Sequence, residues 1–401
     1  PLISHTDIAG AGFINFFLAK GTVYRELEEI LAKGESYGNL PGGHKDKILV
    51  EYVSANPTGP LHIGHARGAA YGSALVNLFR AAGYEVCAEY YVNDAGNQIE
   101  HLAESVDARY LQLLGKDAEV PEDGYHGYDI VETAQSIIDR EGDKYLALPE
   151  EERRNIFKTV ALEEKLAILK KDLADFRVTF DNWFSEKSLY PGEVDKALEK
   201  LKESGHLYEK DGALWLKTTD NGDDKDRVVI RTNGVPTYFC SDIAYIPNKI
   251  GRGFNKLIDI WGADHHGYII RIHSAMKFLG YNPDDFEIML LQMVTLLRNG
   301  QPVKMSKRTG QAVTLRELMK SEVMRPAISS AAVLWTARWT LTSTLRKNSP
   351  ATIPSTISSM PMQESTVSIS RQKKQASHGE TGNILISPAS RKNVNLIWSR
   401  K

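Results

Sequence analysis

Two cysteines, Cys87 and Cys240, are all that 401 residues contain. That excludes a disulfide framework or a cysteine-rich zinc knuckle, and both read as buried small hydrophobes. Long apolar runs are missing as well. No stretch approaches the roughly 18 residues needed to span a bilayer, and no charged-then-apolar signal segment opens the chain, so a soluble, cytoplasmic protein is expected. Excess charge is the third absence. A net charge of −2 gives no global field for a nucleic-acid partner, and any such contact must rest on local patches. Acidic residues then vanish near the end: 321 to 401 hold no aspartate and only Glu322, Glu364 and Glu380. With no sustained amphipathic period either, this tail predicts no packed domain.

What is present is an ordinary globular composition, 42% hydrophobic and 25% charged, over a length that suggests two or three domains. Residues 8 to 18 read as a strand. Residues 22 to 33 form an amphipathic helix with Thr22 as N-cap and Gly34 as its end, and Gly38 to Gly43 is a linker. Strands at 48–53 and 85–92 then alternate with helices at 64–82 and 95–113. This rhythm predicts a parallel, doubly wound sheet. It breaks between about 114 and 226, where a helix at 160–174 and a hairpin at 205–216 read as an insertion. It returns with strands at 236–240, 257–261 and 287–291 and a helix at 268–279.

Two stretches carry the chemistry. Pro60-Leu61-His62-Ile63-Gly64-His65 lies between a strand and a helix, which sets two imidazoles and Cβ-free backbone beside the positive end of a helix, where a phosphate chain binds. Lys304-Met305-Ser306-Lys307-Arg308-Thr309-Gly310 follows a strand across the sheet and offers mobile ammonium groups for phosphates. Each has a plain alternative, capped surface histidines in the first and a solvated charge run in the second. Paired in this order, they resemble the signatures of class I aminoacyl-tRNA synthetases. The surrounding residues resemble the arginyl-tRNA synthetase family over residues 8 to 319, with Arg308 replacing the last serine of the lysine motif.

That resemblance implies a class I Rossmann-type sheet with a helical and hairpin insertion, and arginine–tRNA ligase activity with ATP and Mg²⁺. The partners implied are L-arginine and tRNA(Arg), met by a monomer. Carried over residue by residue, His62, His65, Lys304 and Lys307 are catalytic. Gly64, Met305 and Ser306 join them in holding ATP. Glu51, Asn56, Tyr238, Asp242 and His265 hold arginine, with Asp242 the guanidinium partner. Asp94 and Gln98, in Tyr91-Val92-Asn93-Asp94-Ala95-Gly96-Asn97-Gln98, match the family pattern too, although Asp94 reads equally as a helix N-cap. Asn15 matches a position that touches tRNA, or lies in a buried strand. Asp264-His265-His266 has the alternative of a metal site, against which adjacent side chains at a strand end point apart.

The expected domains are a remnant of an N-terminal tRNA-binding domain at 1–40, the catalytic domain at 41–320, and an aberrant, disordered tail at 321–401 in place of a helical anticodon-binding domain. Thr352 to Thr366 can be back-translated so that another frame reads NHPVYYIQYAHARIN, which resembles the opening of that missing domain. The expectation is a lost reading frame near 319–321. Two rival functions stay open: an inactive truncated product, and a small-molecule nucleotidylyltransferase using the same histidine turn.

Overall fold

A computed structural model describes residues 2–10, 12–190, 192–292, 294–298, 301–303, 313–320 and 339–343. Its strands are β1 Ile3–Ala9, β2 Phe13–Leu18, β3 Lys47–Glu51, β4 Glu85–Val92, β5 Asn182–Ser185, β6 Leu207–Lys210, β7 Ala213–Leu216, β8 Arg227–Ile230, β9 Lys256–Gly262, β10 Phe286–Leu291, β11 Val294–Arg298, β12 Gln301–Val303 and β13 Trp339–Ser343. The helices are α1 Lys20–Lys33, α2 Ile63–Ala81, α3 Asn97–Leu113, α4 Tyr128–Glu141, α5 Glu150–Asp175, α6 Glu193–Glu203, α7 Tyr238–Gly251, α8 Ile269–Phe278 and α9 Leu315–Lys320.

The central sheet runs β10-β9-β3-β4-β5, and every neighbouring pair is parallel. Along the chain its five strands therefore take the order 3-2-1-4-5, and the order reverses between β3 and β9. In such a sheet the crevice at the carboxyl ends of those two strands is where ligands bind. β3 shows why the sheet is covered on both sides. Ile48 and Val50 face a core built with α2 and α5, while Leu49 faces a second core built with α6, α7 and α8. An apolar run without polar alternation is what a doubly buried strand requires.

Close packing fixes α2 against the sheet. A Cβ at Gly72 would stand 2.3 Å from the Tyr52 ring, which is itself fully buried, so only glycine fits there.

Several boundaries differ from expectation. The stretch at 8–18 is a hairpin, β1 and β2, rather than one strand, and every position of β2 is exposed. Helix α1 starts at Lys20 with Ala19 as N-cap; Thr22 lies inside it and donates through Oγ1 to the Leu2 carbonyl. Residues 236–240 are not a strand, because α7 begins at Tyr238. In and around the range expected as an insertion, α4 and α5 share a core with the preceding α3, and β6 and β7 form a separate antiparallel sheet with β8, which follows that range. β5 instead joins the central sheet beside β4. Cys240 is buried, whereas Cys87 is only half-buried. Within the expected tail, β13 pairs in parallel with β11, and the rest of 321–401 lies outside the described residues.

Candidate active site

The His-x-Gly-His turn folds as a helix start. His62 is the N-cap of α2, and its Nδ1 accepts from the Gly64 N–H at 3.2 Å. His65 Nδ1 accepts from the His62 N–H at 3.1 Å, completing a reciprocal capping box, and the two rings stack with centroids 3.7 Å apart. Gly64 has a local reason beyond any ligand: a Cβ there would lie 3.1 Å from His62 Cε1. Both imidazoles are thus fixed at the positive end of a 19-residue helix.

Lys304, Met305, Ser306 and Lys307 lie outside the described residues. The segment that follows them is described, and it docks on the histidine turn. Ile63 N–H donates to the Val313 carbonyl, Leu315 N–H donates to the Leu61 carbonyl at 2.7 Å, and His62 and Thr314 form an antiparallel bridge. Backbone bonds therefore anchor the returning end of the lysine segment at the start of α2.

At the reversal point of the sheet, a cavity of about 460 Å³ opens. Its walls include Glu51 at the end of β3, Ser54 after it, Gln98 on α3, Asp259 to Gly262 on β9, and His265. One stripe of α7 completes it, since Tyr238, Asp242, Tyr245 and Lys249 recur at helical spacing on the same face. Of the residues expected to hold arginine, Glu51, Tyr238, Asp242 and His265 line this cavity together with Gln98. Asn56 is joined to them through its Nδ2, which donates to Gln98 Oε1 at 2.7 Å. The neighbouring imidazoles diverge: His265 lines this cavity and His266 a different one. Asn15, in β2, is exposed rather than in a buried strand, and it is not among the cavity's lining residues.

Asp94 does not cap α3, whose N-cap is Gly96. Its carboxylate accepts from Ser185 Oγ at 2.5 Å and from the Lys187 N–H at 2.9 Å. It thereby clamps the short 3-10 turn, Glu186–Leu189, that presents Glu186 to the cavity.

Glu186 is a residue that sequence reasoning missed. It is buried, and burial followed by repulsion from Asp242 and Asp94 pushes its carboxyl up to about 7 although the nearby Ser241 and Tyr91 hydroxyls oppose the shift. Asp242 accepts a hydrogen bond from Tyr268 Oη at 2.5 Å; burial, with a contribution from Glu51, pushes it up to about 6. Neither forms an ion pair among the described residues. A buried and a half-buried carboxyl lining one cavity, with no ion pair among the described residues, favour a cationic ligand: a planar guanidinium would supply charge and paired donors at once. Burial and Glu51 likewise raise Asp259, to about 8. Among the described residues, no three His, Cys, Asp or Glu side chains converge to hold a metal ion, and no helix is long and apolar enough to cross a membrane.

The family model described as the catalytic domain of class I tRNA synthetases (R) matches residues 26–330. An arginine–tRNA ligase of Anoxybacillus flavithermus is 54% identical over 319 residues, covering 79% of this chain and 57% of the relative. One from Carboxydothermus hydrogenoformans is 53% identical over 320 residues, covering 80% of this chain and 58% of its own length. The chain thus spans less than two thirds of the curated relatives it matches. Among solved structures, an arginyl-tRNA synthetase from Campylobacter jejuni superposes with a TM-score of 0.73 at 38% identity, over 81% of this chain and 71% of that one. The Thermus thermophilus arginyl-tRNA synthetase, at 21% identity and a TM-score of 0.54, shows likeness of fold alone.

Proposed function

Because the chain belongs to the class I arginyl-tRNA synthetase family, we propose that it is the catalytic portion of an arginine–tRNA ligase, activating L-arginine with ATP for transfer to tRNA(Arg). The observation that carries this reading is the pair Glu186 and Asp242, one buried and one half-buried carboxyl without an ion pair among the described residues, at the sheet's reversal point. They take the guanidinium between them. Glu51, with Asn56 and Gln98, faces the α-ammonium group. The arginine carboxylate then attacks the ATP α-phosphorus in line, and pyrophosphate leaves. His62 and His65, held at the start of α2, stabilise the charge that develops on the phosphates, and Lys304 and Lys307 bring their ammonium groups to the same place. No protein nucleophile is needed.

Mg²⁺ belongs to this reading as an ion carried on the ATP phosphates, the usual way it binds with few protein ligands. The division into a catalytic domain at 41–320, an N-terminal remnant at 1–40 and a non-native tail at 321–401 is part of the same proposal. So are tRNA contact at Asn15, a monomeric state and a cytoplasmic location.

Arginine-dependent exchange of labelled pyrophosphate into ATP, measured with and without tRNA(Arg), tests it. The expected result is exchange that requires arginine and is not supported by citrulline or lysine. Exchange that proceeds equally without any amino acid overturns the reading in favour of a nucleotidylyltransferase.

A further inference from the structure

Tyr268 ends the short 3-10 turn Ala263–Tyr268 that follows β9, and it stands half-buried on the cavity wall. Three groups hold its ring. Phe239 and Trp261 meet it edge-on, each with centroids 5.8 Å away, and the Arg271 guanidinium lies 5.1 Å from its centroid. Arg271 is itself drawn to Asp223, whose carboxylate is 3.8 Å from its Nε. With the ring so placed, Tyr268 Oη donates to Asp242 Oδ2 at 2.5 Å, across to α7.

A staple between α7 and the turn is the plain account of this bond. Two observations extend it. First, the bond engages one oxygen only: Oδ2 takes the phenol proton, whereas Oδ1 has no hydrogen-bond partner among the described residues. Asp242 is fixed at one oxygen and open to a ligand at the other. Second, the phenol is what most favours the charged carboxylate there. Burial acts against that charge, and so does Glu51; the Tyr268 hydrogen bond opposes them more strongly than Lys249 does. Burial and the charge of Asp242 hold the Tyr268 proton well above the usual phenol range, so the hydroxyl stays a donor.

Resting on the proposed arginine reading, we infer that Tyr268 is a positioning residue for guanidinium capture: its hydroxyl ties down Asp242 Oδ2 and keeps the carboxylate charged, so that Oδ1 is presented to the ligand. Tyr268 acts through Asp242. Without the hydroxyl, Asp242 loses the donor that stabilises its charged form and takes up a proton at higher pH. A protonated Asp242 no longer attracts a guanidinium, so affinity is lost over a pH range in which wild type still binds. The acids coupled to Asp242 are Glu51 of β3, Glu186 of the neighbouring 3-10 turn and Asp259 of β9, and Lys249 of its own helix is the cation. The Tyr91 and Tyr190 phenols and the Cys240 thiol, all raised by burial, stay protonated. Every one of these groups remains when a single phenol oxygen is removed.

Calorimetric titration of the full chain with L-arginine, at about pH 8.5 and about pH 6, tests this in wild type and in Tyr268→Phe, which keeps the ring. The readout is the ratio of dissociation constants, variant over wild type, because proton uptake by the other groups enters both. That ratio should be about five- to tenfold larger at the lower pH, since losing a hydrogen bond to a charged group moves the protonation of Asp242 up by about one pH unit. A ratio that does not change with pH, whether near one or well above it, marks a staple and overturns the inference while the arginine reading stands. Loss of the fold in Tyr268→Phe, read by circular dichroism, marks a structural role and overturns it too. A wild type that binds no arginine at either pH overturns the arginine reading and this inference with it.

Discussion

Replacing Glu186 with glutamine should make the ligand-free protein more stable and the arginine site worse, and the structure fixes where in pH each effect appears. The carboxyl is buried with no ion pair among the described residues, and its pKa stands at about 7 in the fold against an ordinary 4.5. A raised folded-state pKa means that the native chain holds its proton more tightly than the unfolded chain. The associated stability is fully present below about pH 4 and is lost as pH rises through 7, on the order of 3 kcal/mol in all. Glu186→Gln removes that ionisation while keeping a polar partner for Ser241 and Tyr91. At pH 8 the variant should therefore exceed wild type by about 1 to 3 kcal/mol in denaturant unfolding, and at pH 4 the two should agree within about 0.5 kcal/mol. Arginine should reverse the order at pH 8 by stabilising wild type and not the variant. A stability difference that does not change with pH, or full arginine affinity in Glu186→Gln, refutes the reasoning.

The other predictions follow from single contacts. Asp242→Asn should weaken arginine by about two to three orders of magnitude, the effect of removing one partner of a desolvated charge pair, with citrulline little affected; competition binding reads the ratio. Wild-type arginine affinity should fall as pH drops from 8 through 7 and then 6, because protons on Glu186 and Asp242 compete with the guanidinium. His62→Ala should lower pyrophosphate exchange by about two to four orders of magnitude with arginine affinity nearly unchanged, and loss of the cap should lower stability by about 1 kcal/mol. Gly72→Ala should destabilise by about 1 to 3 kcal/mol despite the better helix former, because the added Cβ would lie 2.3 Å from a Tyr52 ring with nowhere to move; thermal unfolding measures it.

Much of the sheet was legible because its strands are short apolar runs bounded by turn residues. The expected strand at 85–92 matches β4, and the expected helix at 64–82 differs from α2 by one residue at each end. The start of α7 was misread as a strand, since Val235-Pro236-Thr237-Tyr238-Phe239-Cys240 is apolar and β-prone over a span too short for helical periodicity to appear. That misreading hid Lys249, whose spacing from Tyr238 and Asp242 is a helical stripe only if the segment is a helix. Glu186 gave no signal of its own. It lies on a single 3-10 turn in the region expected as an insertion, and it reaches the cavity only because β5 pairs with β4 and Asp94 clamps the turn. Asp94 was assigned to a cap or a ligand because a side chain's long-range partner has no periodicity to reveal it.

A crystal structure of this chain soaked with L-arginine measures the central claim most directly. The account predicts the guanidinium between the Glu186 and Asp242 carboxylates, the α-ammonium group on Glu51, and the α-carboxylate directed toward the start of α2 at His62 and His65. A guanidinium bound elsewhere, or a cavity that stays empty at saturating arginine, would contradict it.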